Sequence, residues 1–146
     1  MTAPAAPILT TSRLALHPLQ DPDSPALLAL LSLEPVRRYL LDGEVPDAAW
    51  IAAVVSDSHA DFSRKGLGLW GARRADGPSL VGLVGFRDFH EPPVEELLFA
   101  LHPDAWGSGL AKEMAEAAIA HAFTAAGPRS RAARLTAGGL AFARAW

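Results

Sequence analysis

The stretch Leu101-His102-Pro103-Asp104-Ala105-Trp106-Gly107-Ser108-Gly109-Leu110-Ala111 decides how this chain is read. An apolar run ends, a short segment with two glycines follows, and apolar residues at helical spacing begin. Upstream, Val94 to Leu101 reads as a strand buried towards its end, with Glu95 and Glu96 near its start. Downstream, Met114, Ala118 and Ala122 make one row of a helix, with Ala111, Ala115, Ile119 and Phe123 beside them. Lys112, Glu113, Glu116 and Ala120 face away. The first turn of a helix offers backbone N–H groups with no internal partners, plus the positive end of the macrodipole. Glycines let a ligand approach those donors closely. Such a junction binds phosphate without needing a basic side chain. Taken alone, Gly-x-Gly before a helix equally suits an ordinary flexible connection. A nucleotide-hydrolase phosphate loop is excluded, because no Gly-Lys-Ser/Thr follows. The dinucleotide fingerprint fails too, since a third glycine is missing and the surrounding unit is not βαβ.

Working outward, Leu67 to Arg74 and Leu80 to Phe89 read as two strands joined by the Asp76-Gly77-Pro78 turn. His90-Glu91-Pro92-Pro93 is the loop before the Val94 strand. Three consecutive strands with short loops imply an antiparallel meander. Nearer the N-terminus, Arg13 to Pro18 is a short strand ended by proline. Ser24 reads as an N-cap followed by Pro25 at the first position of a helix that continues over Ala26 to Leu33. Glu34-Pro35-Val36 breaks it and starts a second short helix through Arg37, Arg38, Tyr39 and Leu40, stopped by Asp42-Gly43. Asp47 caps a further helix, whose stripe is Trp50, Ile51, Val54, Val55, Ser58 and Phe62. Arg64-Lys65-Gly66 closes it. The class is α+β, in the order β-α-α-β-β-β-α with a central antiparallel meander, not the alternating βαβ of a dinucleotide-binding sheet.

The chain has 146 residues, is 50% hydrophobic and 20% charged, and so fits one compact domain. It has no cysteine, which rules out a disulfide framework, a Cys-ligated zinc and a Cys nucleophile. Its five histidines form no His-x-x-x-His pair, so no metal is expected. No apolar run reaches membrane-spanning length, and the N-terminus lacks a basic residue ahead of an apolar core. A cytoplasmic protein with no membrane partner is the expectation. Of the 13 basic residues, four (Arg129, Arg131, Arg134, Arg144) lie in residues 127–146, which hold no acid. The first 126 residues therefore carry 9 basic against 16 acidic side chains. An acidic body disfavours nucleic acid and favours cationic partners.

The ordered set Glu96-x-x-x-x-Leu101-His102-Pro103-x-x-Trp106-Gly107-x-Gly109-Leu110-Ala111-x-Glu113 resembles the acetyl-CoA-binding motif of the GNAT acetyltransferase superfamily. It is nearest to the branch of ribosomal-protein N-terminal-Ser/Ala acetyltransferases. Thr11-Ser12-Arg13-Leu14 and Val36-Arg37-Arg38-Tyr39-Leu40 are similar to that branch as well, so the resemblance spans roughly residues 8 to 126. Trp106 stands where Gln or Arg is typical of the family. The resemblance implies a GNAT-like mixed sheet, acetyl-CoA as co-substrate, no metal, and a primary amine as acceptor, either a protein N-terminus or a small amine. It implies that Leu101, Trp106, Gly107, Ser108, Gly109, Leu110 and Ala111 bind the coenzyme. The N–H groups from Gly107 to Ala111 would hold its pyrophosphate, and its pantetheine arm would pair with the backbone around Ala100 to His102. Glu96 is the candidate base, at a position often acidic in that branch. The rival reading is an acyl-CoA-binding or interaction protein that has lost turnover.

Other residues have plainer readings. His90 and His102 flank the third meander strand and are second candidates for substrate contact. His17, His59 and His121 read as fillers on regular elements, Arg37 and Arg38 as a helix-surface pair, and Trp50, Trp70 and Phe62 as core. Residues 1–12 read as a flexible lead, 13–126 as the core of a single domain, and 127–146 as an atypical basic tail. The tail lacks the Asn/Ser-rich turn, the terminal Gly-Phe and the tyrosine of the family. Two origins fit its Ala/Arg composition: a shifted reading frame in a GC-rich gene, or an authentic divergent tail in which residues 131–137 still form a strand. The family's missing strands would leave one sheet side open, which favours homodimerisation.

Overall fold

The run Leu80-Val81-Gly82-Leu83-Val84-Gly85-Phe86 is apolar at nearly every position, as a strand covered on both faces must be. It forms β4 (Leu80–Asp88) in a computed structural model that describes residues 7–40, 44–88 and 95–126. The other strands are β1 (Leu9–Thr10), β2 (Leu14–Pro18), β3 (Leu69–Arg74) and β5 (Glu95–Leu101). They lie in the order β1-β2-β3-β4-β5, and every neighbouring pair is antiparallel. The helices are α1 (Ser24–Ser32), α2 (Glu34–Leu40), α3 (Ala48–Lys65) and α4 (Leu110–Ala126). The α+β class and the antiparallel meander of β3, β4 and β5 are as the sequence implies.

Alternation along each strand divides the core into two layers. Leu69, Leu83 and Ala100 face α1, α2 and α3, where Leu27, Leu30, Leu31, Val36, Ile51, Val54 and Val55 meet them. Trp70, Ala72, Val84, Phe86, Phe99 and Leu101 face α4, where Met114, Ala115, Ala118, Ile119 and Ala122 close the layer. Trp70 is fully buried. The Phe62 ring meets it edge-on at 4.9 Å and the His121 ring at 5.3 Å. Asp47 caps α3 by accepting the Trp50 N–H at 2.8 Å, an interaction worth about 1 kcal/mol. Gly66 closes the helix with its N–H on the Phe62 carbonyl at 3.0 Å.

The structure departs from the sequence reading at five places. The short helix read after Glu34 is present as α2, so three helices separate β2 from β3 where the order β-α-α-β counts two. Leu9 and Thr10, expected in a flexible lead, pair with Leu16 and Ala15. The lead is held further by the Trp70 indole, which donates to the Pro7 carbonyl at 2.9 Å. α1 is preceded by a 3-10 turn, Asp21–Asp23, and Ser24 is its first residue and not its cap. Trp50, expected in the core, is 37% exposed, with the Arg87 guanidinium 6.0 Å from its ring centroid. Phe123 is likewise exposed, at the far end of the α4 stripe. The loop at His90 and the tail at 127–146 lie outside the described residues.

Gly85 of β4 pairs with Leu69 at the start of β3 and lies close against Gly68 just before it. The Phe86 N–H donates to the Gly68 carbonyl at 2.9 Å, and a Cβ built on Gly85 would sit 2.1 Å from that same carbonyl oxygen. Gly85 also has φ of 154°, where side chains are strained. Gly85→Ala is expected to cost about 3 kcal/mol or more, overpacking adding to backbone strain. Gly77→Ala, where no atom lies within 4 Å, should stay within about 0.5 kcal/mol of wild type. Urea unfolding of the two variants checks the contrast, and equal costs would contradict it.

Candidate functional site

The end of β5 fixes the site. Leu101 pairs with Gly82, and the next residue, His102, donates its N–H to the Val81 carbonyl at 2.7 Å. Antiparallel residues alternate between facing their partner strand and facing away. Leu101 therefore turns its backbone groups to the outer side of β5, the edge strand among the described residues. There its carbonyl accepts the Trp106 indole Nε1–H at 2.7 Å. Between them Pro103–Ala105 wind one 3-10 turn, with His102 Nδ1 accepting the Asp104 N–H at 3.1 Å. His102, a second candidate for substrate contact, is thus placed as a cap.

Gly107 and Gly109 then turn the chain into α4 with φ of 83° and 82°. Between them the Ser108 hydroxyl donates to the Ala105 carbonyl at 3.0 Å. Leu110 and Ala111 are buried beneath the junction, while Gly107, Ser108 and Gly109 are exposed. Among the described residues, the N–H groups of Gly107 to Ala111 have no hydrogen-bond acceptor. The first N–H of the helix ladder to find one is that of Glu113, which donates to the Gly109 carbonyl at 3.1 Å. Two left-handed turns and a helix start thus leave a run of successive donors at one exposed corner. That corner suits an anion.

The expected coenzyme-binding residues fall into two groups. Leu101, Leu110 and Ala111 have buried side chains, so only their backbones are at the site's disposal. Trp106 uses its indole N–H on Leu101 and packs against the core beside α4. Gly107, Ser108 and Gly109 form the exposed rim. Glu96 pairs with Arg87 across β4 and β5, and its side chain lies outside what the structure describes. Arg87 reaches α3, where its Nη2 is 3.5 Å from Asp57 Oδ2. His59 and His121 hold the carbonyls of Leu19 and Gly66 at 2.6 and 3.0 Å. Arg38 pairs with Glu34 on one helical turn.

Glu113, expected to face away, anchors the junction instead. Arg13 donates to it twice, from Nε to Oε1 at 3.0 Å and from its backbone N–H to Oε2 at 3.1 Å. The Thr11 hydroxyl also donates to Oε2. Arg13 Nη1 goes on to the Ser108 carbonyl at 2.9 Å. Burial alone would push the Glu113 carboxyl up. The hydrogen bonds from Thr11 and Arg13, with the charge of Arg13, outweigh burial and hold it below the usual carboxylate range. A reading of helix periodicity misses this group, because its partners lie about a hundred residues earlier in the chain.

Comparison with known proteins agrees with this architecture. The family model described as a GNAT acetyltransferase domain matches residues 13–143, running past the end of α4 at Ala126. YoaA of Bacillus subtilis, an uncharacterized N-acetyltransferase, is 28% identical over 122 residues, covering 83% of this chain and 69% of its own. An acetyltransferase crystal structure from Agrobacterium tumefaciens superposes with a TM-score of 0.72, at 24% identity, over 93% of this chain and 83% of that one. A ribosomal alpha-N-protein acetyltransferase in complex with coenzyme A gives 0.62, at 16% identity, over 80% and 67%.

The Glu113 anchor predicts a pH signature. A carboxyl held below its unfolded value contributes stability that is fully present above that unfolded value and lost as pH falls through the folded one. Glu113→Gln should cost about 1 kcal/mol near pH 7, since Arg13 is partly exposed, and the gap to wild type should shrink towards about pH 3. Urea unfolding at the two pH values checks this; a gap that does not depend on pH would refute it.

Proposed function

The chain belongs to the GNAT acetyltransferase domain family, and from that membership we propose that it transfers the acetyl group of acetyl-CoA to a primary amine, either a protein N-terminus or a small amine. The observation that carries the reading is the run of acceptor-free N–H groups from Gly107 to Ala111. In this reading those donors, with the N-terminal dipole of α4, hold the diphosphate of the coenzyme. The pantetheine arm lies along the outer edge of β5 around Ala100 to His102, where the Leu101 N–H faces outward, in the manner of an added strand. Trp106 keeps the Leu101 carbonyl occupied, so the arm meets a defined edge.

When bound, the co-substrate supplies an activated acyl group that an amine nitrogen attacks directly, with the thiolate departing. The protein's own part is to hold the two reactants in line and to take a proton from the attacking ammonium. Glu96 is the base in this proposal. Its position has the parity of Leu98 and Ala100, on the strand that receives the arm. The ribosomal-protein acetyltransferase among the structural relatives supports a protein N-terminus as one acceptor class. The low identity leaves small amines as the other.

Calorimetry with acetyl-CoA and CoA, paired with thiol release over a panel of peptide N-termini and small amines, tests the reading. Binding with release for at least one amine is expected. Binding without release would leave a coenzyme-binding protein without turnover, and no binding would remove the proposal. Glu96→Gln should lower kcat about a hundredfold with little change in the KM for acetyl-CoA. A kcat near wild type would exclude Glu96 as the base.

A further inference from the structure

The donor run at the start of α4 is held from the other end of the chain. Arg13 lies at the lead-in to β2, 95 residues before Ser108, yet its guanidinium spans the whole junction. Nη1 holds the Ser108 carbonyl at 2.9 Å, midway between the two positive-φ glycines. Nε holds Glu113 in the first turn of the helix at 3.0 Å. Nη2 lies beside Gly109, 3.6 Å from where a Cβ on that residue would be. We propose that Arg13 is the positioning residue of the coenzyme cradle, setting the loop so that its N–H groups are ready for a diphosphate before one arrives. The inference rests on the reading of this junction as the diphosphate site.

Three physical requirements converge on this residue. First, a loop with two glycines has many conformations, and ordering it on binding would cost affinity. The planar guanidinium fixes the middle of the loop to the helix with two directed bonds, which a lysine cannot reproduce. Second, peptide carbonyls of a loop compete with its N–H groups for the space an anion needs. Arg13 engages the Ser108 carbonyl, so that dipole is already committed. Third, Glu113 puts a negative charge in the first turn of the helix, close to where further negative charge is to bind. Arg13 neutralises it, and Thr11 adds a hydroxyl donor to the same carboxylate. A purely architectural tie between the N-terminal strands and α4 would need only the Glu113 contact. The bond to Ser108 serves the loop.

The experiment separates the cradle from general stability by using ligands with and without the diphosphate. Wild type, Arg13→Ala and Arg13→Lys are titrated calorimetrically with CoA and with pantetheine. Acetyl-CoA and S-acetylpantetheine are then compared as acyl donors with an amine that wild type accepts. Arg13→Ala is expected to weaken CoA binding and raise the acetyl-CoA KM about tenfold or more. Its kcat at saturation and its handling of the pantetheine ligands should stay within about twofold of wild type. Arg13→Lys, which keeps charge but loses the fork, should fall between the two and serves if the alanine variant does not fold. Arg13 variants that bind CoA like wild type overturn the proposal. So does a loss shared equally by CoA and pantetheine, which is the mark of a structural tie alone. If wild type itself binds CoA no better than pantetheine, the diphosphate-site reading fails and this inference falls with it.

Discussion

The tight return from β5 into α4 is the constraint on which the rest of the molecule depends. Leu101 ends a buried strand and Leu110 begins a buried helix, and both are about 1% exposed in the same core layer. The chain must leave the sheet, reverse and re-enter the core between them. A 3-10 turn followed by two residues at positive φ does this in the space available. The cost is a helix whose first N–H groups emerge at the end of the sheet without acceptors. A protein with only a core to build would cap such an end with a side chain, as Asp47 does for α3. α4 has no such cap. Its first turn is braced from the side by Arg13, Thr11 and Glu113, and its donors are left open.

That bracing reconciles two electrostatic facts that otherwise conflict. The chain has a formal net charge of −3, and the acidic residues are concentrated ahead of residue 127. A surface of that sign repels anions at long range. Yet the donor run at the start of α4 is a corner that an anion fits. Short-range terms decide in favour of the corner. Backbone dipoles are fixed and pay no reorganisation, and the one carboxylate in the first turn is neutralised within hydrogen-bond distance. Long-range repulsion between solvent-exposed charges is meanwhile screened beyond about 8 Å at physiological salt.

Much of this was legible in the sequence because burial imposes a period. The alternation of Leu97 to Leu101, the unbroken apolar run of β4 and the row Met114, Ala118, Ala122 each report a face that must be covered, and each is covered. What periodicity cannot report is whether a partner stands opposite every point of a stripe. Trp50 in the first turn of α3 and Phe123 in the last turns of α4 sit on the correct stripes, but both are exposed. A two-residue strand such as Leu9–Thr10 has no period to read. The cradle's glycines were visible as a local pattern, whereas its brace was not. Arg13 and Glu113 are separated by a hundred residues, and nothing in either neighbourhood points to the other.

The same alternation organises the proposed chemistry across β5. Leu101 belongs to the face covered by α4, and the junction it feeds lies at the start of that helix. Ala100 and Leu98 belong to the face covered by α1, α2 and α3, and Glu96 shares their parity. Arg87, directly opposite Glu96 in the ladder, extends to Asp57 and Trp50 on α3 and so belongs to that same layer. Under the proposed function, the coenzyme's charged end is met on one side of the strand and the proton of the amine is removed on the other. Such a separation would keep a carboxylate base away from the diphosphate, whose like charge would otherwise disfavour its ionised form. A single strand keeps the two apart at no extra cost, since consecutive residues already point to opposite faces.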